Sequence, residues 1–394
     1  MNALELSILK ELYFSHPQSI TELSQSVGKS VPNITRAINQ LQQLGYILND
    51  GLAPSTGGRR AARFVPNPIN LRAIVSVAMD QFYTSIAVMD LTNNFQSPIK
   101  TKAIDLTSTE AYRDLTDLIE DVLQTTDRES LFAIGITIPG FVDSHTGRNL
   151  SYPSESPLSD LKSRIENKFG IRTFLENDSS AIAIAEHRFG KAQWAKDVMV
   201  VNLNWGVGLG MILDNLLYRG HSGYAGEFSH IPLSNLNKLC SCGKKGCLEV
   251  EASLIAAVDF ANQQLAKGSE SSLRIAFGAD GGISGDQLLE AAADGDQLAI
   301  ESLRGIGRIL GKGIATLIHI INPQLVLISG RGAKAKNVLL PQIQSSILEF
   351  AIHRLSEHTT IAFSDTEHVQ LLGATSICVM QIDPTIYKNN STKV

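Results

Sequence analysis

Cysteine is scarce in this chain: four residues in 394. A scaffold of disulfides is therefore not what holds so long a protein together. Long apolar runs are also lacking, and none approaches the ~18 to 20 residues that a membrane helix needs. The first residues, MNALELSILKELYF, have no basic region, no uninterrupted apolar core and no cleavage site, so they do not read as a secretion signal and the expected location is the cytoplasm. A strong charge of either sign is missing too, with 34 Lys and Arg against 39 Asp and Glu. What is present is the mix of a soluble globular protein, 43% apolar and 19% charged, in a length that allows two or three domains. Three of the four cysteines fall in one stretch, CSCGKKGCLE at 240–249. In a reducing compartment that clustering points to a metal site, with free structural cysteines as the alternative.

The small charge excess is unevenly spread. Residues 1–66 carry six basic residues (Lys10, Lys29, Arg36, Arg59, Arg60, Arg63) against four acids (Glu5, Glu11, Glu22, Asp50), and the remainder carries 28 against 35. In the same N-terminal stretch, apolar residues recur at helical spacing in three groups: Leu4, Ile8, Leu12; Ile20, Leu23, Val27; and Val31, Ile34, Ile38, Leu41, Leu44. Breaks fall at Ser15-His16-Pro17 and Gly28-Lys29-Ser30. Ser30 is placed to cap the third helix, with Pro32 in its first turn. The third helix would turn Val31, Ile34, Ile38 and Leu41 inward and leave Asn33, Thr35, Arg36, Asn39 and Gln40 on other faces. Two helices joined by a Gly-containing turn, the second rich in Asn, Thr, Arg and Gln, form a helix-turn-helix pattern that enters a DNA major groove. A small helical docking module is the alternative. The text that follows, GYIL and then DGLAPSTGGRRAARFVPNP, reads as a strand, a Gly-rich basic tip and a returning strand, which is the layout of a winged helix. Gly57 and Gly58 permit close backbone approach, and Arg59 and Arg60 reach phosphates or a narrow minor groove. Ser30, Asn33, Thr35, Arg36, Asn39, Gly57, Gly58, Arg59 and Arg60 are the candidate DNA contacts.

After Pro66-Asn67-Pro68, an apolar strand ends at Asp80 and a second at Asp90. The pattern returns in DVMVVNLNWGVGLGMILDN, with Asn204 and Asp214 at the same ten-residue separation. Helical and strand patterns follow each copy, so the expected architecture is α/β, with two related lobes and a ligand cleft.

Several segments, in order, carry a family resemblance: STGGRR, GITIPGFVD at 135–143, ENDSSAIAIAEHRFG at 176–190, GYAGEFSHIPL at 223–233, CSCGKKGCLE at 240–249 and INPQLVLISGRG at 321–332. The chain resembles the ROK family, which joins sugar kinases of the actin-like ATPase (ribonuclease H-like) fold to transcriptional repressors with an N-terminal winged helix-turn-helix. The resemblance covers essentially the whole length. It implies a winged helix at 1–66, a linker at 67–71, a smaller lobe from 72–178 with 370–394, and a larger lobe at 179–369.

His230 with Cys240, Cys242 and Cys247 supplies one imidazole and three thiolates, the ligand set of a closed structural zinc site, and the resemblance matches all four positions. Gly243 and Gly246 allow the turns of so short a loop. Cys378, alone in ATSICVMQ, reads as an ordinary core residue. A sugar presents several hydroxyls, so its site needs carboxylates and amides arrayed around it. The resemblance places Gly140, Asn177, Asp178, Glu227, His230 and Glu249 at the family's sugar-contacting positions.

In the kinases the aspartate matching Asp178 is the catalytic base. Phosphoryl transfer also needs backbone donors close to phosphate, hence glycine loops. The kinases' Asp-x-Gly-Gly-Thr is here Asp80-Gln81-Phe82-Tyr83-Thr84, and their Gly-Thr-Gly-x-Gly is Asn204-Trp205-Gly206-Val207-Gly208. The glycine pair of the adenosine motif survives only as Ser329-Gly330. The expectation is a sugar-responsive repressor of carbohydrate-utilisation genes, acting as a homodimer or dimer of dimers on operator DNA, with a sugar or sugar phosphate as effector and no catalysis. The rivals are an active ATP-dependent sugar kinase that carries a DNA-binding module, and a DNA-binding scaffold controlled by a protein partner.

Overall fold

The computed structural model describes residues 1–53, 60–234 and 236–382, apart from the side chain of Asp280. Gly57, Gly58 and Arg59 lie outside the described residues. The chain begins with α1 (Ala3–Phe14), β1 (Gln18–Ser19), α2 (Ile20–Val27), α3 (Val31–Gln43), β2 (Ile47–Leu52) and β3 (Ala62–Pro66). Asn2 and Ser19 start α1 and α2 with capping boxes, each side chain accepting from the backbone three residues on while Glu5 and Glu22 reach back. Gly28, at φ 65°, ends α2 and turns the chain into α3. Ile8, Leu12, Leu23, Ile34, Ile38 and Leu41 close the core of the three helices, and the strands pair in the order β1-β3-β2. Three helices with a tight turn between the second and third, beside a small sheet, are consistent with a helix-turn-helix domain.

Two details differ from the sequence reading. Val31 is 46% exposed, because as the first residue of α3 it projects beyond the helices that cover Ile34 and Ile38. The Ser30 hydroxyl makes no cap bond, and the turn is closed by its carbonyl, which accepts from Asn33 and Ile34. Beyond β3 the chain is tied back: Asn67 is buried, its N–H donates to the Tyr46 carbonyl at 2.8 Å and its Nδ2 to the Gly45 carbonyl at 2.7 Å.

The chain divides into two compact units, Met1–Ala181 with Gln370–Val394, and Ile182–Val369. In the first, β4 (Ala73–Met79), β5 (Tyr83–Met89) and β6 (Lys100–Ala103) form an antiparallel meander. It is followed by α4 (Ala111–Leu123), β7 (Leu131–Ile138), the small hairpin of β8 (Val142–Asp143) and β9 (Arg148–Asn149), α5 (Leu161–Phe169), β10 (Thr173–Asn177) and α6 (Asp178–Phe189). The sheet order is β10-β7-β4-β5-β6, with β10, β7 and β4 parallel. The second unit repeats the plan with the meander β11 (Val198–Leu203), β12 (Val207–Leu213) and β13 (Leu216–Leu217). Then come α7 (Glu249–Ala252), α8 (Leu254–Ala266), α9 (Arg274–Asp280), α10 (Gly285–Ala293), α11 (Gln297–Ile321), β14 (Leu325–Ser329), α12 (Lys336–Phe350), α13 (His353–Ser356) and β15 (Thr360–Phe363). Its order is β13-β12-β11-β14-β15, the same 3-2-1-4-5 arrangement, again with the last two strands parallel to the first. The final helix, α14 (Val369–Gln381), returns the chain to the first unit. The central strands β7, β11 and β14 are buried along their whole length, as parallel strands covered on both faces must be.

Candidate functional site

The second unit gathers His230, Cys240, Cys242 and Cys247 so that their ligand atoms all lie within 4.8 Å of one another. The loop that does this is a short ribbon: Leu239 bridges to Lys245, the Cys240 N–H donates to the Lys244 carbonyl, and Gly243 and Gly246 sit at φ 82° and 77°. The Cys242 and Cys247 sulfurs are 3.5 Å apart, far beyond a disulfide at ~2.05 Å. The Cys240 sulfur is 3.6 Å from His230 Nδ1. A tetrahedral ion with metal–sulfur bonds of ~2.3 Å and a metal–nitrogen bond of ~2.0 Å sets neighbouring ligands ~3.5 to 3.8 Å apart. The donor set and its spacing thus fit a metal ion. Burial, with Cys242 and Cys240 alongside, pushes the Cys247 thiol up to about 12. A divalent cation reverses that balance, because a coordinating thiol is deprotonated outright.

Three of the residues proposed for a sugar are tied to this cluster. His230 turns Nδ1 to Cys240 and Nε2 to Glu227, 3.6 Å from its carboxylate, the arrangement in which an acid orients a ligating imidazole. The Cys240 thiol donates to Glu249 Oε2 at 3.6 Å. Glu249 opens α7, and its Oε1 lies 2.5 Å from where a side chain on Gly206 would begin, so Gly206 admits the carboxylate to that place.

The first unit gathers the other three. Asn177 ends β10 and Asp178 begins α6. Asn177 Nδ2 donates to the Gly140 carbonyl and to Asp178 Oδ1, both at 3.1 Å, and its Oδ1 accepts from the Ser180 N–H. Gly140 has φ 105°, and a side chain there would run into Ser151. Burial is the main cause that lifts the Asp178 carboxyl to about 6; hydrogen bonding from Ser179 opposes it and the charge of Asp80 adds to it. The sequence reading missed the loop that frames Gly140. Ser151 accepts from the Phe141 N–H at 2.8 Å, Asn149 accepts from the Ser151 N–H, and the next residue, Tyr152, has its phenol pushed up to about 12 by burial and then by Asp105 and Asp178. Nothing in the spacing of RNLSYP announces this, since the contacts cross from one loop to another.

The two turns that the sequence reading aligns with the kinases' phosphate loops each hold side-chain contacts from within the chain. Asp80 Oδ1 accepts from the N–H groups of Phe82 and Tyr83, both at 2.7 Å. At the second turn Trp205 is buried, with its ring 5.0 Å from the Arg331 guanidinium and 2.6 Å from where a side chain on Gly285 would begin. Arg331 is held in turn by Asp286 at 2.7 and 2.8 Å. The Ser329 hydroxyl donates to Glu186, a fully buried carboxylate, at 2.8 Å.

Residues 75–380 match the ROK family. The chain belongs to that family. Over 359 residues it is 31% identical to the N-acetylglucosamine repressor of Escherichia coli O157:H7, covering 90% of this chain and 86% of that one. A solved ROK family transcriptional regulator, homologous to the E. coli MLC protein, superposes with a TM-score of 0.74 at 27% identity over 96% of both chains. A solved ROK glucokinase from Streptomyces griseus, in complex with glucose and AMPPNP, reaches a TM-score of 0.69 at 28% identity, over 77% of this chain and 98% of the glucokinase. The ROK match begins at residue 75, after the three N-terminal helices and β3.

Asp178 supplies a test of the site's electrostatics. A carboxyl at about 6 when folded and 3.8 when unfolded binds its proton more tightly in the native state. Its ionisation therefore costs stability, progressively, as pH rises from about 4 to about 6, and the cost persists at neutral pH. Asp178→Asn is expected to relieve at most about 3 kcal/mol at pH 7, which would raise the melting temperature at ~2 to 4 °C per kcal/mol. Melting curves of both proteins between pH 4 and 7.5 check this, and a mutant that melts lower at pH 7 would contradict it.

Proposed function

We propose that this protein is a sugar-responsive transcriptional repressor that binds operator DNA through α3 and its wing, takes a sugar or sugar phosphate as effector, carries one structural zinc and transfers no phosphate. The observation that carries this reading is a winged helix standing ahead of a ROK body whose phosphate turns are closed by the chain's own side chains. Catalysis of phosphoryl transfer comes mostly from positioning and charge stabilisation around the phosphates. The N–H groups of Phe82 and Tyr83 are already engaged by Asp80, and the Trp205, Arg331 and Asp286 side chains fill the second turn. Asp178 then serves as a hydroxyl acceptor in sugar recognition, together with Gly140, Asn177, Glu227, His230 and Glu249. In the zinc site His230, Cys240, Cys242 and Cys247 would fill all four positions of the ion, which shapes the loop that holds Glu227 and Glu249 and does no chemistry.

On the DNA side, Asn33, Arg36 and Asn39 form the exposed face of α3. Thr35 is half-buried and its hydroxyl donates to the Val31 carbonyl, so it stands at the edge of that face. Ser30 is exposed at the N-terminus of α3, where backbone N–H groups favour a phosphate. Arg60 is exposed at the base of the wing, and Gly57, Gly58 and Arg59 complete it in sequence. A winged helix of this kind reads one half-site, so we expect a homodimer or dimer of dimers on an operator whose half-sites lie about 34 to 36 Å apart. Among the described residues no helix is long and apolar enough to cross a membrane, and a repressor works where the chromosome is, in the cytoplasm.

Metal analysis is expected to return one zinc per chain. Cys242→Ser should lose the ion and weaken sugar binding, and purified protein with no zinc and freely titrating thiols would refute the site. Arg36→Ala should remove ~1 to 3 kcal/mol of discrimination between operator and random DNA, whereas Arg60→Ala should weaken both and lower the salt slope by about one. The central test is a melting panel of glucose, N-acetylglucosamine and their 6-phosphates, followed by ATP consumption with the sugar that stabilises. A sugar at ~100 times its dissociation constant adds ~2.7 kcal/mol, and this gain should shrink below about pH 6 as Asp178 takes up its proton. Sugar-dependent ATP turnover that vanishes in Asp178→Asn would establish the kinase reading instead.

A further inference from the structure

We infer that α14 is the element through which an effector at Asp178 alters the DNA-binding surface, with the Tyr13–Ser376 contact as its output. The inference rests on the effector reading above and names how that site is coupled to the winged helix. Every contact it uses lies within the first unit.

One end of α14 touches the backbone around the proposed effector residues. Gln370 Nε2 donates to the Met79 carbonyl at 2.9 Å, beside Asp80, and to the Thr137 hydroxyl at 3.0 Å, three residues before Gly140. Gly373 lies against the first turn of α6: a side chain there would begin 2.6 Å from the Ala181 carbonyl, three residues after Asp178. Thr375 meets Ser76 of β4, hydroxyl to hydroxyl, at 2.5 Å, and a side chain on Gly135 of β7 would collide with the Ala374 carbonyl. The helix is thus seated on the ends of β4 and β7 and on the start of α6 without room for intervening side chains.

The other end touches the winged helix. Ser376 is fully buried and its hydroxyl lies 3.3 Å from the hydroxyl of Tyr13, which is fully buried on α1. Lys10, one turn earlier on α1, places Nζ 2.8 Å from the Met380 carbonyl. From Gln370 to Met380 is ten residues, or about 15 Å of helix. A packed helix moves as a rod, so a shift of α6 or of the β4 turn on sugar binding carries to α1, and α1 packs against α2, α3 and β3. The Tyr13 and Ser376 hydroxyls are both buried, and the Ser376 hydroxyl also donates to the Leu372 carbonyl at 2.8 Å. There a change of helix position by an ångström exchanges a made hydrogen bond for an unmade one, and a contact of that kind has two discrete arrangements.

The experiment measures operator affinity with and without the stabilising sugar from the panel, on a duplex selected from a random pool by the wild-type chain. The ratio of the two affinities is the coupling, for which 5- to 150-fold is the usual range. Tyr13→Phe and Ser376→Ala are each expected to reduce the ratio by about threefold or more, with the double variant no worse than the worse single, because both remove one shared contact. Sugar should still raise the melting temperature of every variant. Gly373→Ala, which pushes α14 off α6 at the far end, should reduce the ratio in the same way, and if it does not fold the Tyr13 and Ser376 pair decides alone. Ser7→Ala, an exposed change on α1, should leave the ratio at the wild-type value. A wild-type ratio well above one that survives in Tyr13→Phe and Ser376→Ala, or that falls equally in Ser7→Ala, overturns the inference while sparing the effector reading. A wild-type ratio of one with a sugar that demonstrably binds overturns both.

Discussion

The arrangement around which the cysteine loop of the second unit is organised is the two-sided use of one imidazole. His230 gives Nδ1 to the cysteine cluster and Nε2 to Glu227, while Cys240 of the same cluster donates to Glu249. Two carboxylates and an imidazole on a loop with little regular structure would ordinarily spread into solvent, since each long side chain loses rotamer freedom when fixed. Joining them to one cluster replaces many weak restraints with a single strong one. On the proposed reading, the cluster sets where a hydroxyl would be recognised, and an ion held by all four residues would have no open position for chemistry.

The duplicated sheet explains why closed turns appear at corresponding places. Each unit has an antiparallel meander whose first two strands are joined by a tight turn at the edge of the parallel strands, Asp80 to Tyr83 in one and Asn204 to Gly206 in the other. A kinase needs both turns to present bare backbone. Here the first is closed by an aspartate that accepts from its own two successors, and the second by an indole stacked on an arginine that an aspartate holds. Different side chains lie at the two turns: a carboxylate that takes up two N–H groups at the first, and an indole beside a guanidinium at the second.

The helices of the N-terminal domain were legible because Leu4 to Leu12 and Ile34 to Leu41 repeat at 3.6 residues and are broken at Ser15-His16-Pro17 and at Gly28; the caps Asn2 and Ser19 were not read, and Ser30, which was, makes no cap bond. The doubled meander was legible because Asp80 and Asp90, and Asn204 and Asp214, recur at fixed distance. The cluster of His230 with Cys240, Cys242 and Cys247 could be read from CSCGKKGCLE together with GYAGEFSHIPL, which contains His230. What could not be read is what depends on tertiary approach. Val31 fits the apolar period and yet is exposed, because nothing lies over the first turn of α3. Trp205 reads as a lost threonine, while its contacts with Gly285 and Arg331 are 80 and 126 residues away in sequence. Ser376 and Tyr13 are separated by almost the whole chain.

A kinase and an effector-controlled repressor make opposite demands on one sugar-binding body. The kinase must favour the transition state over bound substrate, so it places charge and backbone donors where phosphate will be. The repressor gains nothing from that; its sugar must instead bind two conformations of the protein with different affinity, since equal affinity shifts no equilibrium. On the proposed reading, the side chains at the two turns take away the first capacity, and Asn177, Asp178, Glu227, His230 and Glu249 serve the second. A buried carboxyl at about 6 then has a second use. On the proposed reading, burial raises the cost of the Asp178 charge, and a sugar hydroxyl donating to it would offset part of that cost. A conformation in which the hydroxyl reached Asp178 would then be favoured over one in which it did not, which is the differential affinity that regulation requires.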